Sequence, residues 1–312
     1  MNRPIDILGL GCVAVDELLY VDRYPSADAK TQVLRRERQC GGLTATALVA
    51  GARLGARCAY AGALGEDDLS RFVLERFSRQ GVETGWLVRD SAARPVASTI
   101  VVDSQRGTRN IFYDLAGSLG ASPAGPPEDA IRSCRVLLVD HFGVEGMIRA
   151  ARIAREAGIP VVADFERDNL PGFDELLGLV DHLVLSHGFA SRRTGENDPE
   201  RILRSLSEPP RAVVAVTCGD QGCYYRAEGG PIGHMPAFTV EVVDTTGCGD
   251  VFHGAYAAAL ARGLGLRERV RFASAASALK AMRSGGQAGI PDLSVVEAFL
   301  DQADVDERDD GL

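Results

Sequence analysis

Hydrophobic positions along the chain follow two rhythms that alternate. Short, nearly continuous apolar runs have the length and β-branched content of strands buried on both faces. They are IDILGLG at 5–11, VLLVDHFG at 136–143, IPVVADFE at 159–166, DHLVLS at 181–186 and AVVAVTCGDQG at 212–222. Between them lie segments with apolar residues three or four apart, TATALVAGARLG at 44–55, LSRFVLERFSRQG at 69–81, GMIRAARIAREAG at 146–158 and FDELLGLV at 173–180. Several of these stop at a glycine after an Arg- or Ala-rich last turn, the expected helix-ending chemistry. Strand and helix in alternation predict βαβ units, hence a doubly wound α/β fold: one mostly parallel sheet with helices on both faces.

Two segments break that rhythm with a period of two: ELLYVDRYP through TQVLRRERQ, about 17–39, and PVASTIVVDSQRGTRNIFYDL, about 94–115. Each predicts antiparallel strands around a turn. Being far apart in sequence, they predict a small discontinuous β-sheet that packs as a lid on a single domain spanning 1–312, although an ordinary sheet edge reads the same way. GASPAGPPED at 120–129 reads as a connecting loop, and the acidic tail at 301–312 as a solvated, frayed end.

Composition narrows the function. Of 312 residues, 46% are hydrophobic, enough to bury a sizeable core, and the formal net charge of -9 without clustered Lys and Arg argues against a nucleic-acid surface. Seven scattered cysteines form no C-x-x-C pair, so neither a disulfide framework nor a zinc site is expected and a reducing cytoplasm fits best. No run approaches the roughly 18 consecutive apolar residues of a membrane span, and no export or membrane role is expected.

The chemistry concentrates in VEVVDTTGCGDVFHGAYAAALARGLG at 240–265. A β-rich run with Val240, Val242 and Val243 leads into the turn from Asp244 to Asp250, which opens a helix carrying Val251, Phe252, Ala255, Ala259 and Leu260 on one side. A Gly-rich turn at a helix N-terminus aims unpaired N–H groups and the positive end of the helix dipole at one point, and so holds anions. In phosphoryl transfer such donors stabilise the charge that builds on the moving group. Asp250 at the helix start can accept the proton of an attacking hydroxyl; taken alone, an Asp there would simply cap the helix.

Asp-Thr-Thr-Gly-Cys-Gly-Asp-Val-Phe-His-Gly-Ala at 244–255 closely resembles the C-terminal signature of the ribokinase-like, or PfkB, carbohydrate kinases. The resemblance implies a β-sheet lid, ATP as donor, Mg2+ as helper, Asp250 as base, and an anion hole from the backbone of Gly247, Cys248, Gly249 and Asp250. Cys248 stands where the family usually has Ala. Further matches span nearly the whole chain. GLGCVAVDELL at 9–19 is similar to the family's first strand, implying that Asp16 holds substrate hydroxyls. CGGLTATALVAGARLGA at 40–56 is similar to its other signature, with Gly41 and Gly42 pressing the backbone against substrate. AVTCGDQGCYY at 215–225 resembles the nucleotide-phosphate turn, giving Thr217, Gly219 and Gly222. RFASAASALKAMRSGGQAGIP at 271–291 resembles the adenine side, including Ala276 and Gly286, and implies a monovalent-cation (K+) site in some members, with Asp244 and Thr246 as its ligands here.

Departures from the family limit what carries over. Thr46 stands where many members bind substrate through Asn. Ser186 and Phe189 occupy the Asn-x-x-Glu positions that organise Mg2+, which leaves Asp164, Glu166 or His187 to hold the metal through water, or the nucleotide itself. The nearest pattern is that of sulfofructose kinases; Lys30 matches their lid lysine, but Tyr113 and Phe142 fall at the other two sulfonate contacts. A neutral sugar, a sugar phosphate or a nucleoside therefore stays open as substrate. A non-catalytic sugar- or nucleotide-binding relative is the alternative from another class. GLGCVA at 9–14 also fits a dinucleotide fingerprint, but β-like alternation up to Pro25 replaces the helix that fingerprint requires, so an NAD-dependent oxidoreductase is not expected. Exposed apolar lid strands such as VASTIVV predict a homodimer through the lid.

Overall fold

The computed structural model describes residues 3–117, 120–209 and 211–309. Strands of the first half are β1 (Ile5–Leu10), β2 (Ala14–Val21), β3 (Arg35–Gly41), β4 (Cys58–Tyr60), β5 (Ala63–Leu64), β6 (Val88–Arg89), β7 (Val96–Asp103) and β8 (Thr108–Asp114). The second half adds β9 (Cys134–Val139), β10 (Val161–Asp164), β11 (His182–Ser186), β12 (Val213–Thr217), β13 (Cys223–Ala227) and β14 (Ile232–Met235). Helices are α1 (Leu43–Arg53), α2 (Asp68–Arg79), α3 (Glu128–Arg132), α4 (Val144–Glu156), α5 (Phe173–Gly178), α6 (His187–Thr194), α7 (Pro199–Leu206), α8 (Cys248–Ala261), α9 (Leu266–Ala281) and α10 (Leu293–Asp309).

The main sheet has eight strands in the order β14-β13-β12-β11-β10-β9-β1-β4. From β12 to β4 every pairing is parallel; β13 and β14 add an antiparallel edge. Side-chain alternation along each strand feeds two separate cores. In β9, Val136 and Leu138 face the cluster under α1, α8 and α9, while Leu137 and Val139 face the one under α4 to α7. Chain order reverses between β1 and β9, so their carboxyl ends splay apart and leave a crevice, the place where open α/β sheets bind ligands.

The second sheet has four strands in the order β3-β2-β7-β8. Its two hairpin pairings, β2 with β3 and β7 with β8, are antiparallel, and the join between the distant segments, β2 with β7, is parallel. Register puts Asp16, Ser98, Tyr113 and Gln39 in one cross-strand row on one face. Residues 14–21 are strand rather than helix, which removes the structural basis of a dinucleotide fingerprint.

Two expectations need correction. The β-rich run at 240–243 forms no strand: no neighbour is there to pair with, and Val242 and Val243 stay 59% and 61% exposed beside the end of α9. The expected frayed tail is helical through 301–309 as the second half of α10, whose Val296 is fully buried and whose Phe299 packs on Phe238; residues 310–312 lie outside the described residues. Among the described residues no helix is long and apolar enough to cross a membrane.

Candidate active site

Helix α8 is built to come close to its neighbours. A methyl at Gly254 would stand 2.1 Å from the Ala47 carbonyl, so glycine lets α8 lie against α1. Gly247, in the left-handed region at φ 77°, turns the chain into the helix beside the buried Thr46. At that helix mouth the Cys248 amide donates to the Thr245 carbonyl at 3.2 Å, while among the described residues the amides of Gly247, Gly249 and Asp250 meet no protein acceptor. One of the four expected anion-hole donors is thus engaged, and three are open.

A cavity of about 460 Å³ adjoins this mouth. Thr217, Gly219 and Gly222 form one wall, Cys248 and Gly249 the floor, and Ser274, Ser277, Ala278 and Ala281 the face of α9. These helix positions recur at three- to four-residue spacing, so small side chains keep one stripe open to a flat ligand. Val240 and Val242 complete the rim, which explains why an apolar segment stays exposed there. Ala276 points the other way, into the core under the sheet; Gly286 packs on Thr246 and Gly247 rather than lining the cavity. The Cys248 thiol is raised from its usual range, first by burial, so it is not an activated thiol.

Asp250 is half-buried on the first turn of α8. Its carboxyl is held well above the usual carboxylate range, first by burial and then by the charges of Asp164, Glu166 and Asp140. Asp164 is raised too, by burial against the opposing pull of His253, and Glu166 by burial and Asp164. Nδ1 of His253 lies 2.8 Å from the Gly249 carbonyl and 3.2 Å from Asp164 Oδ2, and Nε2 lies 2.8 Å from the Val184 carbonyl. Four carboxyls, Asp250, Asp164, Glu166 and Asp140, thus act on one another at this spot, opposed by His253 and, at Glu166, also by Arg167 and Arg192. Among the described residues no three metal-ligating side chains gather closely enough to hold an ion by themselves, but the surplus negative charge fits a divalent cation that arrives with phosphate ligands of its own. Ser186 caps α6 by accepting from the Phe189 amide, Phe189 is buried against Phe173, and His187 faces the Asn197 carbonyl. None of the three joins the acidic group.

Asp140 was missed by the motifs. It is fully buried at the carboxyl end of β9, where it accepts from the Cys12 amide at 2.6 Å, the Phe142 amide at 2.7 Å and Thr44 Oγ1 at 2.9 Å. Burial pushes its carboxyl up to about 7 in spite of those hydrogen bonds. A charged residue directly after four apolar strand positions was the available signal. His141 beside it is lowered to about 4 by burial and then by Arg167.

Across the crevice, Asp16 on β2 is half-buried and raised by burial, with Ser98 opposing. Gly41 leaves room for it, since a methyl there would stand 2.7 Å from Asp16 Oδ2. Gly42, at φ 96°, gives clearance to the backbone of Cys12 to Ala14. Both glycines therefore serve the chain's own packing around Asp16 in addition to any ligand. Tyr113, in the same lid row, accepts a hydrogen bond from Arg167 at 3.2 Å across the crevice, and Arg109 of β8 reaches Thr246 Oγ1. Lys30 is exposed on the 22–34 loop and contacts none of these groups.

Comparison with known proteins finds relatives along nearly the whole chain. A family model described as pfkB family carbohydrate kinase matches residues 10–293. A ribokinase of Staphylococcus aureus is 28% identical, with 92% of this chain and 97% of that one covered. The crystal structure of a Thermotoga maritima ribokinase superposes with a TM-score of 0.83 at 26% identity, covering 95% of this chain and 99% of the other. An Arabidopsis thaliana ribokinase, described as complexed with ribose and ATP, superposes with a TM-score of 0.84 at 22% identity over 96% of this chain and 99% of its own.

Proposed function

The chain belongs to the pfkB family of carbohydrate kinases, and we propose that it transfers the γ-phosphoryl group of ATP to a hydroxyl of a sugar or sugar-like small molecule, with Asp250 as base. The observation that carries this reading is the meeting, at one helix mouth, of three open backbone amides and a carboxyl of raised proton affinity beside a cavity of nucleotide size.

Each residue has a physical task. The acceptor sits under the four-stranded lid against Asp16, Gly41, Gly42 and Thr46. The nucleotide lies along the 217–222 turn and the Ser274 to Ala281 face of α9, covering the apolar rim at Val240 and Val242. Asp250 takes the hydroxyl proton, while the amides of Gly247, Gly249 and Asp250 donate to the phosphoryl oxygens, where charge accumulates. Mg2+ on the nucleotide would neutralise phosphate charge, held through water on the side of Asp164 and Glu166. Arg109 and Arg167 bridge lid and core on either side through exposed contacts that hold the lid over the crevice, where bound substrate and nucleotide would displace the water that competes as acceptor. The lid strand β8 exposes Phe112 on the face opposite Tyr113, and a second copy of the chain packed on that face would make a homodimer.

The Arabidopsis ribokinase carries ribose and ATP in one fold of this kind, so ribose belongs in any substrate panel. The test is ATP consumption against neutral sugars, sugar phosphates and nucleosides. At least one acceptor should support turnover; normal binding of an ATP analogue with no turnover on any of them would favour a non-catalytic binder.

A further inference from the structure

Lys280 sits in a stretch of α9 otherwise made of Ala, Ser and Leu, yet its side chain is fully buried. Its ammonium donates to the Asp244 carbonyl at 2.7 Å and to the Arg283 carbonyl at 3.4 Å, and stands 4.0 Å from Asp244 Oδ2. Burying a cation is costly unless oxygens surround it, so this lysine is held by a purpose-built oxygen set. The set belongs to two loops. Asp244 Oδ1 accepts from the Thr246 amide and Oδ2 from the Gly285 amide, both at 2.9 Å, so the carboxylate ties the turn before Gly247 to the loop after α9. The ammonium closes the same junction from beneath.

A monovalent cation on Asp244 and Thr246 does not fit here: the ammonium already occupies the Asp244 carbonyl, the carboxylate accepts from two backbone amides, and Arg109 donates to Thr246 Oγ1 and stands 3.8 Å from Asp244 Oδ1. We propose that Lys280 supplies from within the chain the positive charge that organises the 244–247 turn, so that this protein neither needs nor binds a monovalent cation there. Lys280 is then a positioning residue. It fixes the turn that aims the Gly247 to Asp250 amides, and its charge lies close enough to be felt at Cys248.

The experiment compares wild type, Lys280→Ala and Lys280→Met in potassium chloride and in tetramethylammonium chloride at equal ionic strength. It reads the thermal midpoint and, resting on the kinase reading above, kcat/KM for ATP. Wild type should be indifferent to the salt in both readouts. Lys280→Ala should melt lower in tetramethylammonium and lose roughly tenfold to a hundredfold in kcat/KM through displacement of the turn. Potassium should restore both, because it can enter the space the ammonium left. Lys280→Met fills that space with an apolar chain and should stay impaired in either salt. A wild type that gains stability or rate from potassium overturns the inference, as does a Lys280→Ala variant equal to wild type or impaired alike in both salts. Should Lys280→Ala fail to fold, the wild-type comparison still decides. A protein inactive in every salt whose Ala variant keeps a potassium-dependent midpoint would sink the kinase reading and leave this inference standing.

Discussion

Gly11 and Asp140 share one space: a methyl on Gly11 would stand 2.2 Å from Asp140 Oδ2, and Gly11 holds φ at 145°. The pair joins the carboxyl ends of β1 and β9 at the point where strand order reverses, and thereby shapes the floor of the crevice. Gly11→Ala must displace a buried, triply hydrogen-bonded carboxyl and adopt a strained backbone at once. We expect a loss of about 2–4 kcal/mol, measured by urea unfolding.

Asp140 also predicts a pH dependence. Its carboxyl, raised to about 7 in the folded chain, binds a proton more tightly than the unfolded chain does, where it titrates near the usual value of about 3.9. Its contribution is therefore fully present below about pH 4 and is lost as pH rises through 7. Asp140→Asn should flatten that part of the stability curve. It should also cost about 1–3 kcal/mol near neutrality, because an amide NH2 would face the N–H of Cys12 or Phe142 or the hydroxyl of Thr44, each a donor.

The cavity beside α9 predicts a steric block. Ala278 lines it without being part of the buried core, so Ala278→Phe should fold normally and weaken ATP binding by roughly tenfold or more, read by calorimetry. Unchanged affinity would place the nucleotide elsewhere.

Association through the lid is tested at Phe112, which is 54% exposed in an edge strand that is exposed along its whole length. Phe112→Lys should shift the protein from dimer to monomer in light scattering without lowering its melting point.

How much of this was legible in the residues follows from how local each signal is. The turn from Asp244 to Asp250 is readable because glycine spacing, helix start and carboxylate all fall within seven positions, and backbone geometry follows from them directly. The period-two segments revealed the lid strands, but the parallel join of β2 with β7 depends on which distant segment arrives alongside and leaves no local trace. Asp140 escaped for the same reason: its role exists only where Gly11 meets it, far away in the sequence. Val240 to Val243 misled in the opposite direction. Their β propensity is real, but a strand needs a partner, and Val240 and Val242 border an open cavity instead. Lys280 in an Ala- and Ser-rich helix reads as an ordinary solvated lysine until Asp244 and Arg283 close around it.

The central claim is that Asp250 removes the acceptor's proton beneath open amides, and Asp250→Asn in single-turnover measurements tests it most directly. Phosphoryl transfer should slow by about 10²- to 10⁴-fold while fold and ATP affinity stay near wild type. Wild-type kcat/KM should climb with pH through a value above the usual carboxylate range, since the base works only once deprotonated. An Asn variant that transfers the phosphoryl group at close to the wild-type rate would contradict the account.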